Sequence, residues 1–170
     1  MAAGLAAHLV EELRTGDKYS MPMLTKIYSA ALFLGGIFGV LISCWNLYVR
    51  RDAGLANLLF LLLFIAAFSF SAYIGQQRWK NTSIGRKWAP VLYASQIPMV
   101  LTTPVTFQWF TGIQMAPLLR MNLNGGGSIG FALNAGAGFD LHFNSNPAGG
   151  IVIGLNLFAI SALIHLVRAN

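Results

Sequence analysis

The chain has 170 residues, 9% charged and 56% hydrophobic, with 11 Lys and Arg against 5 Asp and Glu for a net charge of +6. A soluble domain carries roughly 25% charged residues. With a mean hydropathy of +0.62 this composition cannot clothe a water-facing surface, and it is too apolar for a disordered chain.

The expected class is an integral membrane protein, mainly α-helical. It would have three to four transmembrane helices and a small antiparallel amphipathic β-meander inserted before the last of them. The excess of positive charge flanks apolar runs, so the bilayer, and no nucleic acid, is the expected partner.

Residues 1–25 read as an N-terminal cytoplasmic segment. Leu5, Leu9, Val10 and Leu13 recur at roughly helical spacing before Gly16 and Pro22. Glu11, Glu12 and Asp17 interrupt any continuous apolar core, which argues against a cleavable signal peptide. The first predicted span, 27–49, is free of charge and bracketed by Lys26 and by Arg50, Arg51 and Asp52. At about 1.5 Å per residue it covers the roughly 30 Å hydrocarbon core. Tyr28, Trp45 and Tyr48 stand near its ends, where amphipathic rings favour the interface. Cys44 is the single cysteine. It has no intrachain disulfide partner and reads as a small buried hydrophobe.

A second span, 54–75, follows after a tight connection. The stretch from Gln76 to Lys87 then carries Arg78, Lys80, Arg86 and Lys87 and no acid. That pattern marks a cytoplasmic loop. Drawn with three spans or with four, most Lys and Arg fall inside when the N-terminus is cytoplasmic, as in a plasma or inner membrane. Asn81-Thr82-Ser83 fits a glycosylation pattern, but on the cytoplasmic side no glycan would be attached.

Trp88 to Phe110 is apolar, yet it holds Pro90, Pro98 and Pro104 together with Gln96 and Gln108. Each interior proline removes a backbone hydrogen bond that lipid cannot replace. A short interfacial or re-entrant helix over 84–97 is expected in place of a span. From Leu101 to Phe143 the apolar residues fall mostly on odd numbers, and a period of two means strands. The region 100–144 therefore reads as three or four short strands, with turns or bulges at Gly125-Gly126-Gly127 and Gly136-Ala137-Gly138. Phe131, Leu133, Phe139, Leu141 and Phe143 make the apolar face. Asn134, Asp140, His142 and Asn144 make the polar one. A last span is expected over 148–167.

Ala31, Gly35, Gly39 and Ser43 recur every four residues on the first span, and Gly150 and Gly154 repeat the spacing on the last. Such small-residue stripes admit close helix packing. Asn46, Asn57 and Asn156, in or at the edges of the spans, suit hydrogen bonds between helices. The spans hold no Asp, Glu, Lys or Arg, which speaks against an ion-coupled transporter. The run from Gly125 to Gly130 matches G-x-G-x-x-G, but a strand follows it where a dinucleotide site needs a helix. Asp140 and His142 share a strand face and would serve as acid and base in a membrane enzyme acting on a lipid or lipid-linked substrate. No metal set, catalytic set or cofactor motif accompanies them. The leading expectation is a non-enzymatic membrane protein that self-assembles into a homo-oligomer or joins a membrane complex, with a pore as one form of assembly.

Overall fold

A computed structural model describes residues 21–49, 54–101, 105–121, 126–143 and 150–169, the side chains of 56, 57, 105–107 and 139–143 lying outside the description. In chain order it contains α1 (Met23–Val49), α2 (Leu55–Trp79), α3 (Ser83–Ser95), β1 (Pro98–Leu101), β2 (Val105–Met121), β3 (Gly127–Phe143), β4 (Ile151–Leu155) and α4 (Leu157–Arg168).

Only α1 and α2 are long and apolar enough to cross a membrane, among the described residues. They form an antiparallel pair that closes on glycine. A methyl group on Gly36 would meet the backbone of Phe68 and Ala72, and one on Gly75 would meet the backbone of Ser29 and Phe33. The chain reverses after α2 because Asn81 takes φ +56°, a left-handed conformation that Asn tolerates better than most residues. Thr82, read from the sequence as part of a glycosylation pattern, caps α3: its hydroxyl accepts the Gly85 N–H at 3.2 Å. The resulting helix, Ser83–Ser95, keeps Pro90 in its interior and matches the short element expected over 84–97.

The core lies where α1, α2, α3 and α4 meet. Tyr28, Leu32, Ile74, Leu92, Tyr93, Ala159, Ala162 and Leu166 are buried together there. Tyr93 Oη donates to the Tyr28 carbonyl at 2.7 Å. Tyr28 Oη shares a 2.8 Å hydrogen bond with Ser161 Oγ, and Thr25 Oγ1 lies 3.0 Å from His165 Nε2. Burial, with Tyr28 adding to it, holds the Tyr93 phenol well above its ordinary pKa.

Residues 148–167 do not form the expected third span. Ile151–Leu155 is a strand and only Leu157–Arg168 is helical, 12 residues long. At about 1.5 Å per residue, α4 is roughly 18 Å long and too short to cross a bilayer alone. Apolarity in this stretch is shared by strand and helix. Three consecutive β-branched residues, Ile151, Val152 and Ile153, favour the strand, and β1 and β2 are there to pair with it. Gly154 therefore sits in a strand, beneath Leu118, Pro117 and Met99, and Gly150 precedes that strand. Neither belongs to a helix stripe.

The period of two beyond residue 100 is realised as a four-stranded antiparallel sheet in the order β1-β4-β2-β3, with a further β1–β2 pairing. Its principal element is one long hairpin, where the sequence suggested several short strands. β2 and β3 are each 17 residues and pair without interruption from Val105↔Phe143 to Met121↔Gly127. Gly126, immediately before β3, has φ +107°, and Gly125 of the expected glycine turn lies outside the described residues.

Candidate functional site

The strand pairings force β2 to fold back on itself. β1 runs antiparallel to β4 and to the first part of β2, at Val100↔Phe107, while β4 runs antiparallel to the last part of β2, at Leu119↔Ile153. Three straight strands cannot all be mutually antiparallel, so β2 reverses direction between Phe107 and Leu118. The joint is a pair of glycines facing each other across the ladder, Gly112 at φ +90° and Gly136 at φ +123°. Only glycine adopts such backbone cheaply. The sequence placed a turn or bulge at Gly136. The strand continues through it, and the whole hairpin bends there.

The bend is recorded in the side chains as well. Six residues of straight strand would hold two Cα atoms about 20 Å apart, yet Gln108 Nε2 donates to Gln114 Oε1 at 2.9 Å. The same oxygen accepts from Asn134 Nδ2 at 2.8 Å, and Gln114 Nε2 lies 3.6 Å from Met99 Sδ. Met99, Ala116 and Leu118 are buried beside this group, with Leu101, Ala132 and Val152 packed around them. A small closed curl of β1, β4 and the two limbs of β2 thus encloses its own core.

Two further polar groups lock the curl to the helices. Gln96, at the C-cap of α3, donates Nε2 to Thr111 Oγ1 at 2.8 Å and accepts the Thr111 N–H on Oε1 at 3.0 Å. Ser71 Oγ of α2 lies 3.2 Å from Thr111 Oγ1 and 3.4 Å from the Leu32 carbonyl. Asn156, fully buried, caps α4 through the Ala159 N–H. Its Oδ1 also accepts the Met115 N–H at 3.2 Å, and its own N–H donates to the Ile97 carbonyl at 2.9 Å. Asn156 was read from sequence as a bond between helices; it joins a helix to a strand. Trp109 stacks on Phe68 with ring centroids 5.4 Å apart and keeps a buried indole N–H that has no hydrogen-bond partner among the described residues.

The small-residue stripe of α1 meets a strand. Ala31 and Gly35 lie against Gly112 and Thr111, and Gly39 turns to α2, against the Phe68 ring. Ser43 is buried. Gly36 and Gly75, absent from the stripe, make the close contact between helices.

Beyond the joint, none of the described residues covers the odd-numbered face of the hairpin. Ile129, Phe131 and Leu133 are 86%, 58% and 67% exposed, and Met115, Leu119, Met121, Ile153 and Leu155 are exposed to a lesser degree. On the even-numbered face, the polar one in the sequence, Gln114, Ala116 and Leu118 are buried inside the curl. Phe139, Leu141 and Phe143 pair with Trp109, Phe107 and Val105; Asp140 pairs with Gln108 and His142 with Thr106. Side chains from Phe139 to Phe143 lie outside the description, and Asn144 lies outside the described residues. Among the described residues no three His, Cys, Asp or Glu cluster as a metal site. The structure thus assembles Gln96, Thr111, Ser71, Gln108 and Gln114 into networks, of which the sequence signalled only Gln96 and Gln108, as glutamines in an otherwise apolar stretch.

Comparison with protein families, with curated proteins and with solved structures gave no match.

Proposed function

We propose that the chain is a small non-enzymatic integral membrane protein, anchored by α1 and α2 with a cytoplasmic N-terminus, that assembles with copies of itself through β3. The observation that carries this reading is the state of that strand. β3 is 17 residues long and lies at the end of the sheet, with β2 as its only neighbour among the described residues. Proteins guard such edges with Lys, Pro or short strands. Gly127–Phe143 contains no Lys, Arg or Pro.

The setting makes an open edge costly. Gly35, against the hairpin joint, lies near the middle of Met23–Val49. If α1 crosses the bilayer, the joint is at hydrocarbon depth, where each unpaired N–H or C=O costs several kcal/mol. The edge of a second copy supplies those partners, and Ile129, Phe131 and Leu133 extend the apolar surface across the seam. Closed into a ring, such copies would surround a pore, which would register as ion conductance in a planar bilayer.

Native mass spectrometry in mild detergent tests the assembly. The expected result is a multiple of 18.4 kDa for the wild type and the single-chain mass for Leu133→Lys, which places a charge beside the seam. A wild-type protein that is monomeric in every mild detergent overturns the proposal.

A further inference from the structure

We propose that the groove between α1 and α2 at their basic end is a binding site for one anionic phospholipid. This rests on the membrane reading above and adds a ligand to it.

The groove has a volume of about 400 Å³ and is lined by Ala30, Phe33 and Leu34 of α1 and by Gln76, Trp79 and Lys80 at the end of α2. It opens to the outside: Leu34, Gln76, Trp79 and Lys80 are all exposed. The α1 side is wholly apolar, as an acyl chain requires. The polar groups stand together at one end, where Lys80 can meet a phosphate and the Trp79 indole can sit at headgroup level.

Charge at that end selects the headgroup. Gly75 lies against Ser29 and Phe33, Gly85 against Gln77 and Arg78, and Thr25 bonds to His165. These contacts bring the start of α1, the end of α2, the start of α3 and the end of α4 to one end of the molecule. Lys26, Lys80, Arg86, Lys87 and Arg168 accompany them, and the described residues of this end include no Asp or Glu. An apolar cleft opening under a rim whose described charges are all positive is complementary to a lipid with two acyl chains and a net negative headgroup, and among the described residues it offers a zwitterionic headgroup no acid for its cation.

The test uses the full chain in mild detergent with equimolar phosphatidylglycerol and phosphatidylcholine, bound lipid being read by native mass spectrometry. Retention of phosphatidylglycerol is expected to exceed that of phosphatidylcholine by about fivefold, the effect of one well-placed lysine. Lys80→Gln should abolish that preference, and Leu34→Trp, which fills the groove, should reduce retention of both lipids. Thermal unfolding of each variant verifies that it folds. Equal retention of the two lipids overturns the site, as does an undiminished preference in Lys80→Gln. So does a Leu34→Trp protein that loses its oligomeric state while its lipid retention is unchanged, because a second copy would then occupy the groove. Carbonate-resistant recovery in the membrane pellet tests the membrane reading separately: a pelleted protein without headgroup preference loses this site alone.

Discussion

The two ends of the α1–α2 pair are made of similar residues and meet different surroundings. Toward the start of α1 and the end of α2, Thr25, Ser29 and Ser71 are buried, and each has a hydrogen-bond partner. Toward the connection between the helices, Leu41, Ile42, Trp45, Leu59, Leu62 and Leu63 are exposed. Polar side chains are buried where the fold supplies partners, and the other end presents apolar groups on nearly every side. A helix pair that is apolar on its outer faces asks for an apolar solvent. The difference teaches that the packed end is specified by protein contacts, whereas the bare end turns its apolar side chains outward.

The sharpest way to break this contrast is to overfill the point midway along α1 where protein contacts are tightest. Gly35→Leu drives a side chain into the Thr111–Gly112 backbone and should cost about 3 kcal/mol by overpacking, measured by thermal unfolding in detergent. Gly54→Ala, with nothing within 4 Å of the new methyl, is the matched control and should change stability by less than about 0.5 kcal/mol.

Asn156→Ala comes next. It removes the cap of α4 and leaves the Met115 N–H without its acceptor. A loss of about 2 kcal/mol is expected in the same assay.

A smaller effect, about 1 kcal/mol, is expected for Tyr93→Phe, which deletes one buried hydrogen bond. It carries a pH signature. The phenol's pKa is raised in the folded protein, so folding favours its neutral form. The stability this contributes is complete below the ordinary tyrosine value of about 10 and is lost as pH rises above it. Tyr93→Phe should therefore flatten the alkaline limb of the stability curve, as read by unfolding across that range.

The bare end should tolerate truncation. Leu63→Ala is expected to shift unfolding in detergent by less than about 0.5 kcal/mol. A loss comparable to that of Asn156→Ala would show that the bare end is packed.

What the sequence disclosed follows the same division. Long charge-free runs announced α1 and α2, because an uninterrupted apolar stretch of that length is far longer than a strand and reads as a helix. The alternation beyond residue 100 announced strands, since a period of two has no helical reading. The failures are tertiary. Apolarity alone could not tell Ile151–Leu155 from a helix; the partners β1 and β2, distant in sequence, decided it. The parity of the strands suggested an outer apolar face but not the joint at Gly112 and Gly136, whose bend exists only because both limbs of β2 must pair. The α1 stripe marked a place of close approach, and nothing in its spacing distinguishes a strand from a helix as the neighbour. The networks at Gln96, Thr111 and Asn156 join residues far apart in the chain, and no local pattern records them.

The central claim is that the exposed end of the helix pair lies in lipid, and the protein carries its own probe for it. Cys44 is the only cysteine in the sequence and is exposed in the fold. In sealed vesicles a membrane-impermeant maleimide should leave Cys44 unlabelled until detergent denaturation, while a cysteine placed at exposed Ser83, after Cys44→Ser, labels from the cytoplasmic face. Rapid labelling of Cys44 in intact vesicles, at the rate of the Ser83→Cys control, would contradict the account.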